Sequence, residues 1–259
     1  MKVSVILPCY NSENTIKYTL DSINAQTFSY FECIIINDGS VDNTLQIIND
    51  YHFRSGIVPS IVTRENRGFL YSLHEGICKS NNELIARIDS DDLWEPNHLE
   101  KLVGVLEQEH LVFVGSNALI IDENSNIIGK TNVPTTNKAL MKSLLNDNSI
   151  IHSSVIFRKS LYFQTSGYLC GEGDFFKHIA DYNLWVELSF LGNCRNIHDY
   201  TVRYRFLNSS MSRNINRLIN YRARKYVMNK MFKHYKKNII FHYISILKVN
   251  LRILQNICK

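Results

Sequence analysis

Apolar runs of strand length recur through the first ninety residues, at Val3–Leu7, Cys33–Ile36, Ile57–Val62 and Leu84–Ile88. They are rich in β-branched residues and bounded by polar, turn-forming ones, so they predict strands. Between them, Glu13–Asn24, Asp42–Tyr51 and Phe69–Lys79 have helical length. A fourth helix is predicted over Pro96–Glu109, with Pro96 in its first turn. Strands alternating with helices make βαβ units, hence a largely parallel sheet covered on both faces. Leu111–Ile121 reads as a further strand, Asp122–Asn126 as a turn, and Ile127-Ile128 as the returning arm of a hairpin. From Thr131 to Tyr200 the pattern is mixed. Only Asp181–Leu191 reads clearly there, as a helix with Leu184, Trp185 and Leu188 inward.

The tail changes the picture. On a helical wheel, at about 100° per residue, Tyr221, Met228, Met231, Phe232, Tyr235 and Ile239 fall on one arc. Arg222, Lys225, Lys230, Lys233, Lys236 and Lys237 fall on the neighbouring arc. This is a basic amphipathic helix, and Ile239–Ile257 continues it with more apolar side chains. Charge is divided the same way. Residues 1–199 hold all 24 acids against 15 Lys and Arg, while residues 200–259 hold 14 Lys and Arg and no acid. An acidic body with a basic tail suits an anionic lipid surface, where each basic residue contributes about 1 kcal/mol. A helix packed on the body with a solvated basic face is the other reading.

Composition excludes several classes. With 259 residues, 45% of them hydrophobic, and only 4 Pro and 11 Gly, the chain suits one generous domain plus an appendage. The six cysteines form no CxxC pair, so a zinc knuckle or disulfide framework is not expected. No signal-peptide pattern opens the chain and no apolar run approaches the roughly 18 residues of a membrane span, so a cytoplasmic protein is expected.

Ligands of open α/β sheets bind outside the carboxyl ends of the strands. The residues delivered there are Pro8-Cys9-Tyr10-Asn11-Ser12-Glu13, Asn37-Asp38-Gly39-Ser40, Arg64-Glu65-Asn66-Arg67-Gly68 and Asp89-Ser90-Asp91-Asp92. Three carboxylates within four residues repel unless a cation or hydrogen bonds compensate. Hard oxygen ligands of this kind suit Mg²⁺ or Mn²⁺ together with substrate phosphates. Asp92 could equally cap the helix entered near Pro96, and Ser40 or Asp42 the helix after Asp38-Gly39. Two nucleotide motifs are excluded. Residues 8–15 contain no glycine, as a dinucleotide fingerprint requires, and Asn124 stands where a P-loop ending in Gly129-Lys130-Thr131 needs its first glycine.

These stretches, in this order and spacing, resemble the family-2 glycosyltransferases of the GT-A fold. Ala180-Asp181-Tyr182-Asn183-Leu184-Trp185 is similar to the stretch that supplies that family's general base, and Tyr204–Ser212 to the segment closing its catalytic domain. The resemblance covers residues 1–212. It implies a three-layer α/β/α sandwich around a mostly parallel mixed sheet, with residues 1–100 binding nucleotide-sugar, residues 101–212 binding acceptor, and residues 213–259 as a basic helical tail. It implies inverting transfer from a nucleoside diphosphate sugar, of the UDP type, to a glycan or polyprenyl-diphosphate-linked acceptor in surface-polysaccharide synthesis. Asp181 would be the base. Asp91 and Asp89 would hold Mn²⁺ or Mg²⁺, with Asp89 and Ser90 also near the donor. Pro8, Tyr10, Asn11, Glu13 and Asp38 would form the nucleoside pocket, and Arg67 would reach the phosphates. Trp94 and Trp185 are either sugar platforms or core. The chain departs from the family pattern at Ala180, often Glu, and Leu207, often His. A metal-dependent nucleotidyltransferase is a second reading, weakened by the absence of a Gly-rich basic loop after the first strand. A nucleic-acid-binding protein is a third, weakened by the acidic body.

Overall fold

The computed structural model describes residues 1–206 and 217–235. Val3–Cys9 (β1), Ile16–Asn24 (α1), Phe31–Asn37 (β2), Thr44–Asp50 (α2), Ser60–Thr63 (β3), Phe69–Lys79 (α3) and Leu84–Arg87 (β4) form the first half. Leu93–Trp94 (β5), His98–Gln108 (α4), Phe113–Ile121 (β6), Ile127–Lys130 (β7) and Asn137–Leu144 (α5) follow. A 3₁₀ turn at His152–Ser154 leads to Ile156–Arg158 (β8), Lys159–Tyr162 (α6), Asp174–Lys177 (α7), Ala180–Ser189 (α8), Cys194–Arg205 (β9) and Arg217–Tyr235 (α9).

The sheet runs β3-β2-β1-β4-β8-β6-β9-β5, with β7 paired to the far end of β6. The first four strands are parallel, β8 runs antiparallel between β4 and β6, and β6 pairs parallel with β9. Side chains alternate across β1. Val3, Val5 and Leu7 join Ile16, Leu20, Leu99 and Leu102 on one face. Ile6 joins Leu73, Ile77, Phe113, Leu140 and Trp185 on the other. Helices therefore cover both faces, as continuous apolar strands require. Gly76 lets α3 lie close on β1, since a Cβ there would come within 2.5 Å of Ile6 Cγ2.

One departure from the sequence reading and one choice between its two alternatives stand out. The strand predicted at Ile57–Val62 is only Ser60–Thr63, with Ile57 buried against the core instead. The basic helix forms over Arg217–Tyr235, but its apolar side faces protein. Met228 and Met231 are buried, as are Val227 and Phe232. Tyr226 meets Phe175 and Phe176 edge-on, and Lys230 reaches Glu187 and Asn183 on α8. That face is thus covered by α7 and α8 and is not offered to lipid. Burial against helices satisfies the same apolar surface that lipid would. Ile239–Ile257, Leu207 and the end of the Tyr204–Ser212 stretch lie outside the described residues.

Candidate active site

Three polar loops, after β1, β2 and β3, are knitted to one another before they meet any ligand. The Asn11 N–H donates to Ser40 Oγ at 3.0 Å, and Asn11 Oδ1 accepts from the Val41 N–H at 2.9 Å. Asn11 takes a left-handed backbone conformation (φ 49°) to do so. Glu13 Oε2 accepts from the Asn43 N–H and Nδ2 at 3.0 and 2.8 Å. Ser90 Oγ lies 2.7 Å from Ser12 Oγ, which joins the β4 loop to the β1 loop. Pro8 sits buried near the C-terminal end of β1, inside a sheet where most prolines would cost a ladder hydrogen bond. Its nitrogen faces the β4 side, beyond the last β1–β4 pair at Ile6 and Arg87, so no partner strand is deprived.

Asp38 is 3% exposed. It accepts from the Arg67 N–H at 2.8 Å, from the Gly68 N–H at 2.9 Å and from the Arg64 guanidinium. Most of its lone-pair capacity therefore shapes the loop after β3. Gly39 beside it has φ +74°, and a Cβ there would come within 2.7 Å of Asn66 N, so only glycine lets the two loops approach. Tyr10 is 49% exposed at the rim, which leaves its ring open for stacking. Arg67 lies over Tyr71, its guanidinium carbon 3.4 Å from the ring centroid.

The β4 loop carries the charge. Arg87 is 1% exposed and grips both carboxylate oxygens of Asp89, which accepts at 3.1 Å from Nη1 and more closely from Nη2. Ser153 Oγ lies 3.2 Å from Asp89 Oδ2 and closer still to Asp92 Oδ2, and its single proton serves one of them at a time. Asp92 is buried and also accepts from the Arg205 N–H at 2.8 Å. It ties the end of β9 to this loop, which is neither the helix cap nor the ligand role considered above. Burial and the neighbouring acids, Asp91 first, hold the Asp92 carboxyl well above the usual range. Burial and Asp89 push Asp91 up to about 6.

Asp181 lies in the first turn of α8. Its Oδ2 accepts from Asn148 Nδ2 at 2.9 Å and its Oδ1 from the Tyr182 N–H at 2.7 Å. Burial raises its pKa, the Tyr182 N–H and the positive Arg87 oppose that, and Asp89 adds to it. Asp181, Arg87 and Asp89 thus share one electrostatic field. Tyr168 stands in the same field, its hydroxyl 2.8 Å from His152 Nε2. Burial and Arg87 keep His152 neutral, its pKa far below the ordinary imidazole value.

One segment, residues 148–154, holds these parts together. Asn148 bonds Asp181, His152 bonds Tyr168, and Ser153 bonds Asp89, Asp92 and, through its carbonyl, Trp94 Nε1 at 2.7 Å. Asn148 and Ser153 are five residues apart, so their Cα atoms lie within about 18 Å of each other however the chain runs. Sequence reasoning missed this segment and Arg87. A signal for Arg87 was present, a cation inside the apolar run Leu84–Ile88. None marked Asn148 or Ser153. Trp94 and Trp185, 4% and 0% exposed, are core, and so is Ala180.

Whether a divalent cation fits rests on the donor set. Among the described residues no three His, Cys, Asp or Glu side chains gather to hold a metal by themselves. Asp89 is gripped by Arg87, while Asp91 is pushed up to about 6 by burial and Asp89 despite the nearby arginines, and a cation would relieve that. One or two carboxylates completed by substrate phosphates is the usual Mg²⁺ arrangement, so the residues fit a cation shared with a diphosphate. No helix among the described residues is long and apolar enough to cross a membrane.

Known proteins resemble this chain in sequence and in fold. The O-antigen biosynthesis glycosyltransferase WbnJ of Escherichia coli is 30% identical over 95% of this chain and 93% of its own length. The E. coli UDP-Glc:alpha-D-GlcNAc-diphosphoundecaprenol beta-1,3-glucosyltransferase WfgD is 28% identical over 82% of this chain and 80% of its own. The fold matches residues 1–349 of S. aureus TarS in complex with UDP-GlcNAc, with a TM-score of 0.65 and 18% identity. That match covers 88% of this chain, which spans 65% of the TarS fragment. The GT-A architecture expected from the loop motifs is therefore the one observed. The model of the family described as "Glycosyl transferase family 2" matches residues 4–163, well over half of the chain, and the chain belongs to that family.

Proposed function

We propose that this glycosyltransferase moves a sugar, with inversion, from a UDP-sugar to a hydroxyl of a glycan or polyprenyl-diphosphate-linked acceptor in surface-polysaccharide synthesis. The observation that supports the reading is that one short segment bonds both carboxylates, Asp181 through Asn148 and Asp89 through Ser153. The names of WbnJ and WfgD, and the UDP-GlcNAc held by TarS, favour a UDP-sugar and an O-antigen-type pathway.

In this mechanism the uridine lies on the loops after β1 and β2, with Tyr10 free to stack and Pro8, Asn11, Glu13 and Asp38 shaping the pocket floor. Asp38 does so chiefly by fixing the Arg64–Gly68 loop. Arg67 turns from Tyr71 toward the phosphates. Ser90 and Asp89 face the ribose and diphosphate, and Asp91 with Asp89 would hold Mn²⁺ or Mg²⁺. Such a cation supplies charge neutralisation of the leaving diphosphate. Asp181 takes the proton of the acceptor hydroxyl as that oxygen attacks the anomeric carbon from the face opposite the diphosphate. Its raised pKa makes it a stronger base than a solvated carboxylate. Asn148 and the Tyr182 N–H fix its orientation.

Asp181→Asn tests the assignment. UDP binding, measured by calorimetry, should be retained while transfer falls about 10²-fold or more. Near-normal turnover would remove Asp181 from the role. The reading also puts the protein on the inner face of the membrane, held by the basic charge of the tail. Arg222 and Lys233 are exposed on α9, with Lys225 partly so. Reversing all three to Glu should abolish sedimentation with anionic vesicles, and unchanged sedimentation would remove α9 from that contact.

A further inference from the structure

A cleft of about 510 Å³ opens between the segment after β7, the end of α5 and the 148–151 stretch. Its volume is in the range of small-ligand sites. Its lining is Thr131, Asn132, Val133, Pro134 and Ser143 on one side, with Asn148, Ser149, Ile150 and Ile151 on the other. We infer that this cleft is the subsite for one uncharged sugar of the acceptor, and that Asn148 forms its boundary with the base.

Three observations carry this. First, Asn148 lines the cleft and at the same time donates to Asp181, so a ligand there sits one side chain from the proposed proton acceptor. Second, no lining residue is ionisable. The two acids beside it are both engaged. Asp147 meets Arg224 of α9 at 3.1 Å, and Asp181 is held by Asn148 and the Tyr182 N–H. A phosphate or carboxylate desolvated here would find no cation in the lining to receive it, which is costly. A neutral pyranose meets no such cost. Third, polar and apolar groups are mixed in the way a sugar needs. Val133, Pro134, Ile150 and Ile151 offer a surface for its C–H face. Asn132 and Ser143 offer groups for its hydroxyls.

The identification as an acceptor subsite rests on the transferase reading above, but binding to the cleft can be measured without it. Methyl and p-nitrophenyl glycosides of neutral hexoses and N-acetylhexosamines would be titrated by ligand-observed NMR against the full-length protein. The same would be done with hexose 6-phosphates. At least one neutral glycoside should bind, its affinity undiminished by saturating UDP, and the phosphorylated sugars should bind more weakly. Asn132→Trp, at an exposed rim position that a large side chain can occupy without disturbing the core, should weaken that binding about 10-fold or more. Ser143→Trp, from the α5 end of the same wall, should do likewise, and retained UDP binding by both variants would show that they are folded. The inference is overturned if no neutral glycoside binds, if UDP displaces it, if phosphorylated sugars bind better, or if both tryptophan variants bind as the wild type does. Failure of the wild type to bind UDP is a separate result. It would refute the donor reading and leave the glycoside titrations interpretable.

Discussion

The donor edge and the base side of this site are built in opposite ways. On the donor edge, each functional loop directly follows its strand, and much of its bonding lies among those loops. Asp38 binds the Arg64–Gly68 turn, Asn11 the Ser40-Val41 turn, and Glu13 the start of α2. On the base side, Asp181 depends on pieces far away in sequence. Asn148 orients it, α9 braces α8 through Lys230, and Arg224 of α9 holds Asp147 next to Asn148. A locally closed edge is preorganised by the βαβ units themselves. A side assembled from distant segments is as stable as its packing, and it should fail first.

The largest way to break the comparison is to remove the brace. Val227, Met228, Met231 and Phe232 are buried, and each contributes up to about 1.5–3 kcal/mol. Total stabilities are of order 5–15 kcal/mol, so deleting residues 213–259 should lower the thermal midpoint steeply. Hydrogen exchange should rise in α7, α8 and the 147–154 stretch before it rises in β1 and β2. An unchanged midpoint would show that α9 does not support the base side. Next in size is Arg87→Met. Breaking a buried pair from one side leaves Asp89 uncompensated and costs about 3–5 kcal/mol in urea unfolding. Adding Asp89→Asn should recover part of that loss. If the double variant is no better than the single one, Arg87 acts through packing on Phe69 rather than through charge.

The same asymmetry explains what the sequence revealed. The four parallel strands and their helices were legible because apolar runs and loop motifs lie side by side in the chain, and the boundaries of α3 match the prediction. Asp89, Asp91 and Asp181 were legible as residue types in a known order. The twelve-residue strand β9 was not, because Arg195, His198, Asp199 and Arg203 interrupt any apolar run while the strand is held by its long pairing with β6. The direction taken by the apolar face of α9 was open as well. A helical wheel gives the same arc whether the partner is lipid or α8. The second duty of Asp38, the burial of Asp92 and the role of Ser153 depend on contacts 26–113 residues apart, which no local pattern carries.

The smallest effect is the sharpest test, because it separates orientation from assembly. Burial raises the Asp181 carboxyl, so its ionised, base-competent form is reached at higher pH than for a solvated aspartate. Activity should therefore fall on the acid side at a pH above the usual carboxylate range. Asn148 donates to the ionised form and so favours it. Asn148→Ala removes that donor, leaves α9 and the donor edge untouched, and should move the acid limb of kcat upward by up to about one pH unit. The KM for the donor should not change. If the limb stays in place while kcat drops uniformly, Asn148 only sets the geometry of the base. If neither moves, the base side does not depend on the 148–154 segment, and the contrast with the donor edge fails at its centre.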